Sequence, residues 1–182
     1  MGTVFTYVAD AALRSVANEV CQQCERAGVP VYGYTGTIVQ PHLAADEELA
    51  QQEPEVYYLC ADCIQGGNVV RSNRRDVEQT VQSLAKDPAR AWHAFNQLPG
   101  IPHFLQGCFD WPFCCDTWCE FTGSPIDFQQ LLATQQSQQY WEKGLGKRPR
   151  TFDTQGPPES LQEVSLFACS CCAARYYTDQ FS

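Results

Sequence analysis

The alternation of apolar and polar positions changes period several times along the chain, and each change marks an element. Residues Val29 to Val39 are rich in β-branched and aromatic side chains, which predicts a strand carrying Tyr32 and Tyr34 and turning at Thr35-Gly36. A shorter run, Val56 to Leu59, predicts a second strand. After Gly66-Gly67 the pattern turns helical. Val77, Val81 and Leu84 recur at spacings of four and three, with Ser72 placed to cap the helix. Asp87-Pro88 combines a cap with a proline at the first helical position and opens a shorter helix that stops near Leu98-Pro99-Gly100. Ser124-Pro125-Ile126-Asp127 predicts one more helix, with Ser124 as cap and Asp127 at the third position. It carries Leu131, Leu132 and Tyr140 and ends at Gly144. Strands over Val164 to Ala168 and Arg175 to Phe181 follow, and a short helix over Ala11 to Asn18 is expected near the start.

The remaining stretches have no period. Residues 44 to 55 are acidic and poor in bulky apolar side chains, residues 101 to 123 are dense in aromatics and cysteine, and residues 146 to 160 are basic and then proline-rich. Together the elements predict an α+β fold with zinc-ribbon-like β elements near both ends and two or three helices between them. A chain of 182 residues suits one domain. No linker divides it, although lobes over 1–70 and 71–182 are a natural subdivision.

Charge narrows the classes of partner. There are 21 acidic side chains against 12 basic ones, a formal charge of −9. Such a surface repels a phosphate backbone and suits a basic protein. Asp46, Glu47, Glu48, Glu53 and Glu55 are the candidate face for that partner. Arg71, Arg74 and Arg75, with Lys147, Arg148 and Arg150, are the only basic clusters a nucleic acid could use. No run approaches the ~20 apolar residues that span a bilayer. The first residues carry Asp10, Arg14 and Glu19 and lack the basic and apolar regions of a secretory signal. The expected location is the cytoplasm, with no membrane partner.

Cysteine carries the chemistry. The chain has 11, an odd number that precludes complete internal disulfide pairing. Cys21-Gln-Gln-Cys24 and Cys60-Ala-Asp-Cys63 are two C-x-x-C pairs, each next to a predicted strand. A C-x-x-C turn brings both sulfurs to one side, so two such turns complete a tetrahedral four-thiolate zinc site. A redox C-x-x-C, an iron–sulfur site and a pair of inert core thiols are the alternatives. Cys169 and Cys172 form a third C-x-x-C. Its natural partners lie among Cys108, Cys114, Cys115 and Cys119. Cys115 and Cys119 are preferred because adjacent residues 114 and 115 do not easily point the same way. The alternative is that these thiols pack in a core with Trp111, Phe113, Trp118 and Phe121. Both sites would be closed and structural, with one or two Zn²⁺ as cofactor. His42, His93 and His103 are the only histidines, and the sequence has no Gly-rich phosphate loop, nucleophile elbow or H-E-x-x-H. The chain is not expected to be an enzyme.

Several of these segments together resemble the bacterial CbrC family. They are Cys21-Gln-Gln-Cys24 with Tyr34-Thr35-Gly36, and Leu59-Cys60-Ala-Asp-Cys63-Ile64 with its glycine pair. Leu98-Pro99-Gly100, the stretch from Trp111 to Gly123, and Leu166-Phe167-Ala-Cys169-Ser-Cys-Cys172 complete the set. The order spans nearly the whole chain. The resemblance implies one metal site at Cys21, Cys24, Cys60 and Cys63. It aligns Cys115 and Cys119 with the family's tryptophan-to-glycine segment, and Cys169 and Cys172 with its terminal knuckle. Cys114 and Cys171 depart from the pattern, which leads one to expect histidine there. The family is linked to colicin resistance, and its members look like candidates for immunity proteins that neutralise bacterial toxins. The expected function is therefore a zinc-stabilised protein-binding module that occludes a basic toxin domain, with a nucleic-acid-associated zinc ribbon as the rival.

Overall fold

The structure, a computed structural model, describes residues 1–40, 54–101, 109–142 and 155–179. The architecture is α+β, with four α-helices and three small sheets among these residues. Strand β1 (Val31–Ile38) is the centre of a three-stranded antiparallel sheet. Its neighbours are β2 (Glu55–Cys60) and β3 (Val69–Arg71). Val31, Tyr32, Tyr34 and Gly36 are buried, so the β-branched and aromatic run serves the core. The register places Val31 opposite Cys60 and Thr37 opposite Glu55, with a shift between Gly33 and Gly36. Gly33 also meets a second backbone, because the Gly100 amide donates to its carbonyl. A Cβ on Gly100 would come within 2.9 Å of that carbonyl oxygen, so the Leu98-Pro99-Gly100 corner needs its glycine.

Helix α1 (Ala61–Gln65) begins at the residue after Cys60 and was not foreseen. Helix α2 (Arg74–Leu84) buries Val77, Thr80 and Val81, and its cap is Asn73 rather than Ser72. Helix α3 (Pro88–Asn96) starts as expected, and the Asp87 carboxylate accepts the Arg90 amide at 3.0 Å. Its buried face holds Ala91 and Phe95. The aperiodic stretch becomes strands: β4 (Phe113–Cys114) and β5 (Thr117–Trp118) form a hairpin, and β6 (Glu120–Gly123) joins another sheet. Helix α4 (Phe128–Ser137) starts later than expected. Asp127 is its cap, accepting the Gln130 amide at 2.7 Å. It also stops earlier, and Tyr140 belongs to strand β7 (Gln139–Tyr140) instead. Strands β8 (Val164–Ala168) and β9 (Arg175–Asp179) complete a sheet of order β6-β8-β9-β7. Strand β7 lies parallel to β9, a long-range pairing with no local sequence signature.

Residues 11–18 form turns rather than a helix. The N-terminal segment from Val8 to Val16 ties the sheets together: Val8 bridges to Phe121 and Val16 bridges to Val31. One apolar cluster accordingly runs from Phe5 to Cys169, drawing on both halves of the chain. A smaller one gathers Leu131, Val164, Leu166 and Tyr177. The main core is aromatic. Phe95 meets Phe109 edge-on at 5.0 Å, and Trp111 meets Phe167 at 5.5 Å. The buried indoles keep their polar edges satisfied. Trp111 donates to the Cys119 carbonyl at 2.6 Å, and Trp118 to the Ala91 carbonyl at 3.0 Å. No helix among the described residues is long and apolar enough to cross a membrane.

Candidate metal centres

Two groups of four cysteines emerge, each with all four Sγ atoms within 4.8 Å of one another. None of their cysteines is in a disulfide. A tetrahedral ion with Zn–S bonds near 2.3 Å sets its sulfurs about 3.8 Å apart, so the test of fit is the edge length. Cys24 and Cys60 lie 3.9 Å apart in the first group, and Cys114 and Cys172 lie 3.8 Å apart in the second. These edges match the size such an ion requires, and no sulfur in either group lies more than 4.8 Å from another.

The first group joins Cys21, Cys24, Cys60 and Cys63. The β1–β2 register positions it, since Cys60 ends β2 opposite Val31. Cys63 is set by helix α1, one turn further on. Gln22 holds the other knuckle in place, its side-chain oxygen accepting the Tyr57 and Tyr58 amides at 2.6 and 2.8 Å. The knuckle closes with the Cys21 amide on the Arg26 carbonyl at 3.3 Å and Glu25 in the left-handed region at φ 55°. The Cys60 amide donates to the Cys21 sulfur at 3.3 Å. Arg26 covers the outer side. Its Nε donates to Cys24 at 3.2 Å, and its Nη2 reaches both Cys60 at 3.3 Å and the Asp62 carboxylate at 2.6 Å. Arg26 and Asp62 are half to largely exposed, so this ion pair adds little stability. Its effect is to orient a cation against the sulfurs.

The second group joins Cys114, Cys115, Cys169 and Cys172. Cys115, Cys169 and Cys172 were expected, but Cys114 takes the place assigned to Cys119. The reason lies in the hairpin. Cys115 and Asp116 form its two-residue loop with φ of 54° and 62°, the left-handed conformation of a tight β-turn. In an extended strand, neighbouring side chains point to opposite faces, whereas this turn brings the sulfurs of Cys114 and Cys115 within 3.7 Å. Cys119 is fully buried, outside the group, and held by its amide on the Pro112 carbonyl at 2.8 Å. The Cys169 knuckle repeats the closure of the first, with the Cys169 amide on the Ala174 carbonyl at 2.9 Å. The Cys171 amide donates to the Cys169 sulfur at 3.4 Å.

Each group contains a sulfur driven toward thiolate and another driven away from it. The Arg26 side chain and then its amide hold the Cys24 thiol down at about 6. Burial, reinforced by hydrogen bonds with the Cys21 and Cys60 sulfurs, pushes Cys63 well up. Burial opposes ionisation of Cys169, but the Cys171 and Cys172 amides outweigh it and bring that thiol to about 7. Hydrogen bonds with the Cys172 and Cys114 sulfurs push Cys115 up to about 12. Sulfurs this close do not all ionise together unless a cation sits among them. The donor set therefore suits a metal that displaces protons as it binds.

The other expected residues fall elsewhere. Asp46, Glu47, Glu48 and Glu53 lie outside the described residues, as do Cys108, His42, His103, Lys147, Arg148 and Arg150. Glu55 opens β2 and accepts the Tyr57 hydroxyl at 2.9 Å. His93 is exposed and lies 3.1 Å from Gln97. Arg71, part of the supposed basic cluster, is a core residue only 2% exposed. Its guanidinium lies between Tyr34 at 4.4 Å and Phe109 at 4.5 Å and donates to the Leu98 carbonyl. Burial lowers its pKa to about 10, which leaves it charged at neutral pH. Arg74 stacks on Trp92 at 4.3 Å. No family model, curated protein or solved structure matches this chain.

Proposed function

We propose that this chain is a protein-binding module whose shape is held by two structural Zn²⁺ ions in zinc-ribbon-like knuckles. The observation that carries the reading is the composition of the two groups. Every donor is a sulfur, four per group, which is the donor set of a closed structural zinc site rather than a catalytic one. The common closure of the Cys21 and Cys169 knuckles supports the ribbon comparison. With no position left for water or substrate on the metal, the function lies on the surface. The free thiols fit a reducing cytoplasm.

The charge of −9 favours a basic partner. Together with the resemblance to the CbrC family, it supports an immunity-type role in which the chain binds and occludes a bacterial toxin domain. The test is co-expression with the toxin-like product of a neighbouring reading frame. Growth rescue together with a salt-sensitive complex of the purified pair supports the reading. Rescue without binding, or neither, sinks it. One of the three arginines the nucleic-acid rival relies on, Arg71, is buried. What remains of it predicts that Arg74→Glu with Arg75→Glu weakens RNA or DNA binding and flattens its salt dependence.

A further inference from the structure

The two groups differ in how they meet solvent and charge. In the first, Cys21 and Cys60 are buried, Cys63 is partly buried, and the one exposed sulfur, Cys24, is covered by the Arg26 guanidinium. In the second, Cys169 is buried and Cys114 partly buried, but two sulfurs, Cys115 and Cys172, are exposed. Among the described residues, no arginine or lysine donates to its sulfurs; beside the cluster's own sulfurs, Cys114 meets the neutral hydroxyl of Tyr176. A four-thiolate zinc site carries about two negative charges, and with no cation bonded to the sulfurs that charge stays on them and keeps them nucleophilic. A cavity of ≈ 590 Å³ also opens beside this group, with Cys114, Cys115, Lys86, Phe113, Trp141 and Tyr176 in its walls. Cys114 thus has free space on one side.

We propose that the second cluster is a thiol modification site, whose reactant is a peroxide and whose product is a Cys114–Cys172 disulfide with release of its metal. These two sulfurs belong to different elements, the β4–β5 hairpin and the β8–β9 knuckle, and start 3.8 Å apart. A disulfide needs about 2.05 Å. In the first step the exposed Cys172 thiolate attacks one peroxide oxygen, the O–O bond breaks, and the sulfur becomes a sulfenic acid as hydroxide leaves and takes a proton from solvent. The Cys114 thiolate then attacks the Cys172 sulfur, the S–O bond breaks, and a second hydroxide leaves and is protonated to water. Two thiolates lose two electrons in all, and one hydrogen peroxide takes them with two protons to give two waters. Cys115 and Cys169 alone no longer enclose the ion, and it leaves. The first cluster, shielded by Arg26, keeps its metal.

This inference rests on the reading that both clusters hold a metal, and one experiment separates the two. Protein reconstituted with zinc is titrated with hydrogen peroxide while a chromogenic chelator reports released metal and peptide mass spectrometry maps the disulfides. The expected result is release of one equivalent with a Cys114–Cys172 cross-linked peptide, and retention of the second equivalent. Arg26→Gln should remove this selectivity, so that the metal of the first cluster is lost alongside. Cys172→Ser should give no cross-link. If that variant does not fold, the wild-type peptide map and the Arg26→Gln release curve still decide. Release of both metals together from the wild type, release from the first cluster, a different disulfide, or no release overturns the proposal. A chain that takes up no zinc at all overturns the metal reading with it.

Discussion

The cluster at Cys21–Cys63 and the cluster at Cys114–Cys172 present four similar sulfurs in two different settings. In the first, the knuckles meet along the edge of a three-stranded sheet, and Arg26 bonds two of the sulfurs from outside. In the second, a two-residue hairpin meets a knuckle between β8 and β9, with an open cavity alongside. The difference teaches that geometry and reactivity are set separately. Sulfur spacing decides whether an ion fits, and in both clusters it does. Charge and solvent around the sulfurs decide how readily they exchange protons, electrons and metal.

Removing a sulfur from the sealed cluster gives the largest effect. Cys60→Ser takes out a buried ligand at the end of β2 and should release one metal of the two. Structural zinc supplies folding free energy on the order of 10 kcal/mol, so the cooperative melting transition should be lost. Metal content and thermal unfolding by circular dichroism check this; stoichiometric zinc with unchanged melting contradicts it. Acid should come next in size. Metal-bound sulfurs are thiolates, so protons compete, and binding weakens as pH falls. Cys24, depressed from 9.0, favours the metal-free fold above its ordinary value and loses that contribution as pH falls through about 6. Cys115, raised to about 12, acts oppositely, favouring the metal-free fold below 9.0 and losing that contribution as pH rises through 12. Competitive chelator titrations from pH 8 to pH 5 should show affinity falling throughout, with both ions lost below pH 6. A flat profile would break the thiolate account.

Arg26→Gln sharpens the comparison directly. It removes the cation from one cluster and should lower zinc affinity there by about 10- to 100-fold, as loss of an outer partner does, without touching the other cluster. Equal weakening of both sites would mean that Arg26 acts through the fold rather than through the sulfurs. The smallest effect on metal is expected from Cys119→Ser. It leaves two metals per chain because Cys119 lies outside the second group, while a new buried hydroxyl costs about 1–3 kcal/mol of stability. Loss of one metal in that variant would restore Cys119 as a ligand.

The first cluster was legible because its information is local: two C-x-x-C turns beside two strands already specify two half-sites. The strands β1, β2, β8 and β9 were legible for the same reason, through their β-branched and aromatic runs. The second cluster was half legible. The Cys169–Cys172 turn is local, but choosing between Cys114 and Cys119 required the backbone of Cys115-Asp116. A signal existed in the paired aromatics Phe113 and Trp118, which flank a four-residue hairpin core and contact edge-on at 4.9 Å. Arg71 was misread because a basic side chain in a run with Arg74 and Arg75 looks like surface, and only the folded chain brings Tyr34 and Phe109 around it. Helix α1 and strand β7 went unseen because each is short and owes its place to contacts far along the chain.

The most direct test of two four-sulfur zinc sites is native mass spectrometry of the purified chain, with elemental analysis of the same sample. Two zinc ions per chain, with the eight cluster cysteines free of disulfides and the four of the first cluster resisting a thiol alkylator until a chelator is added, is the predicted result. A metal-free chain, bound iron in place of zinc, or disulfides among those eight cysteines would contradict it.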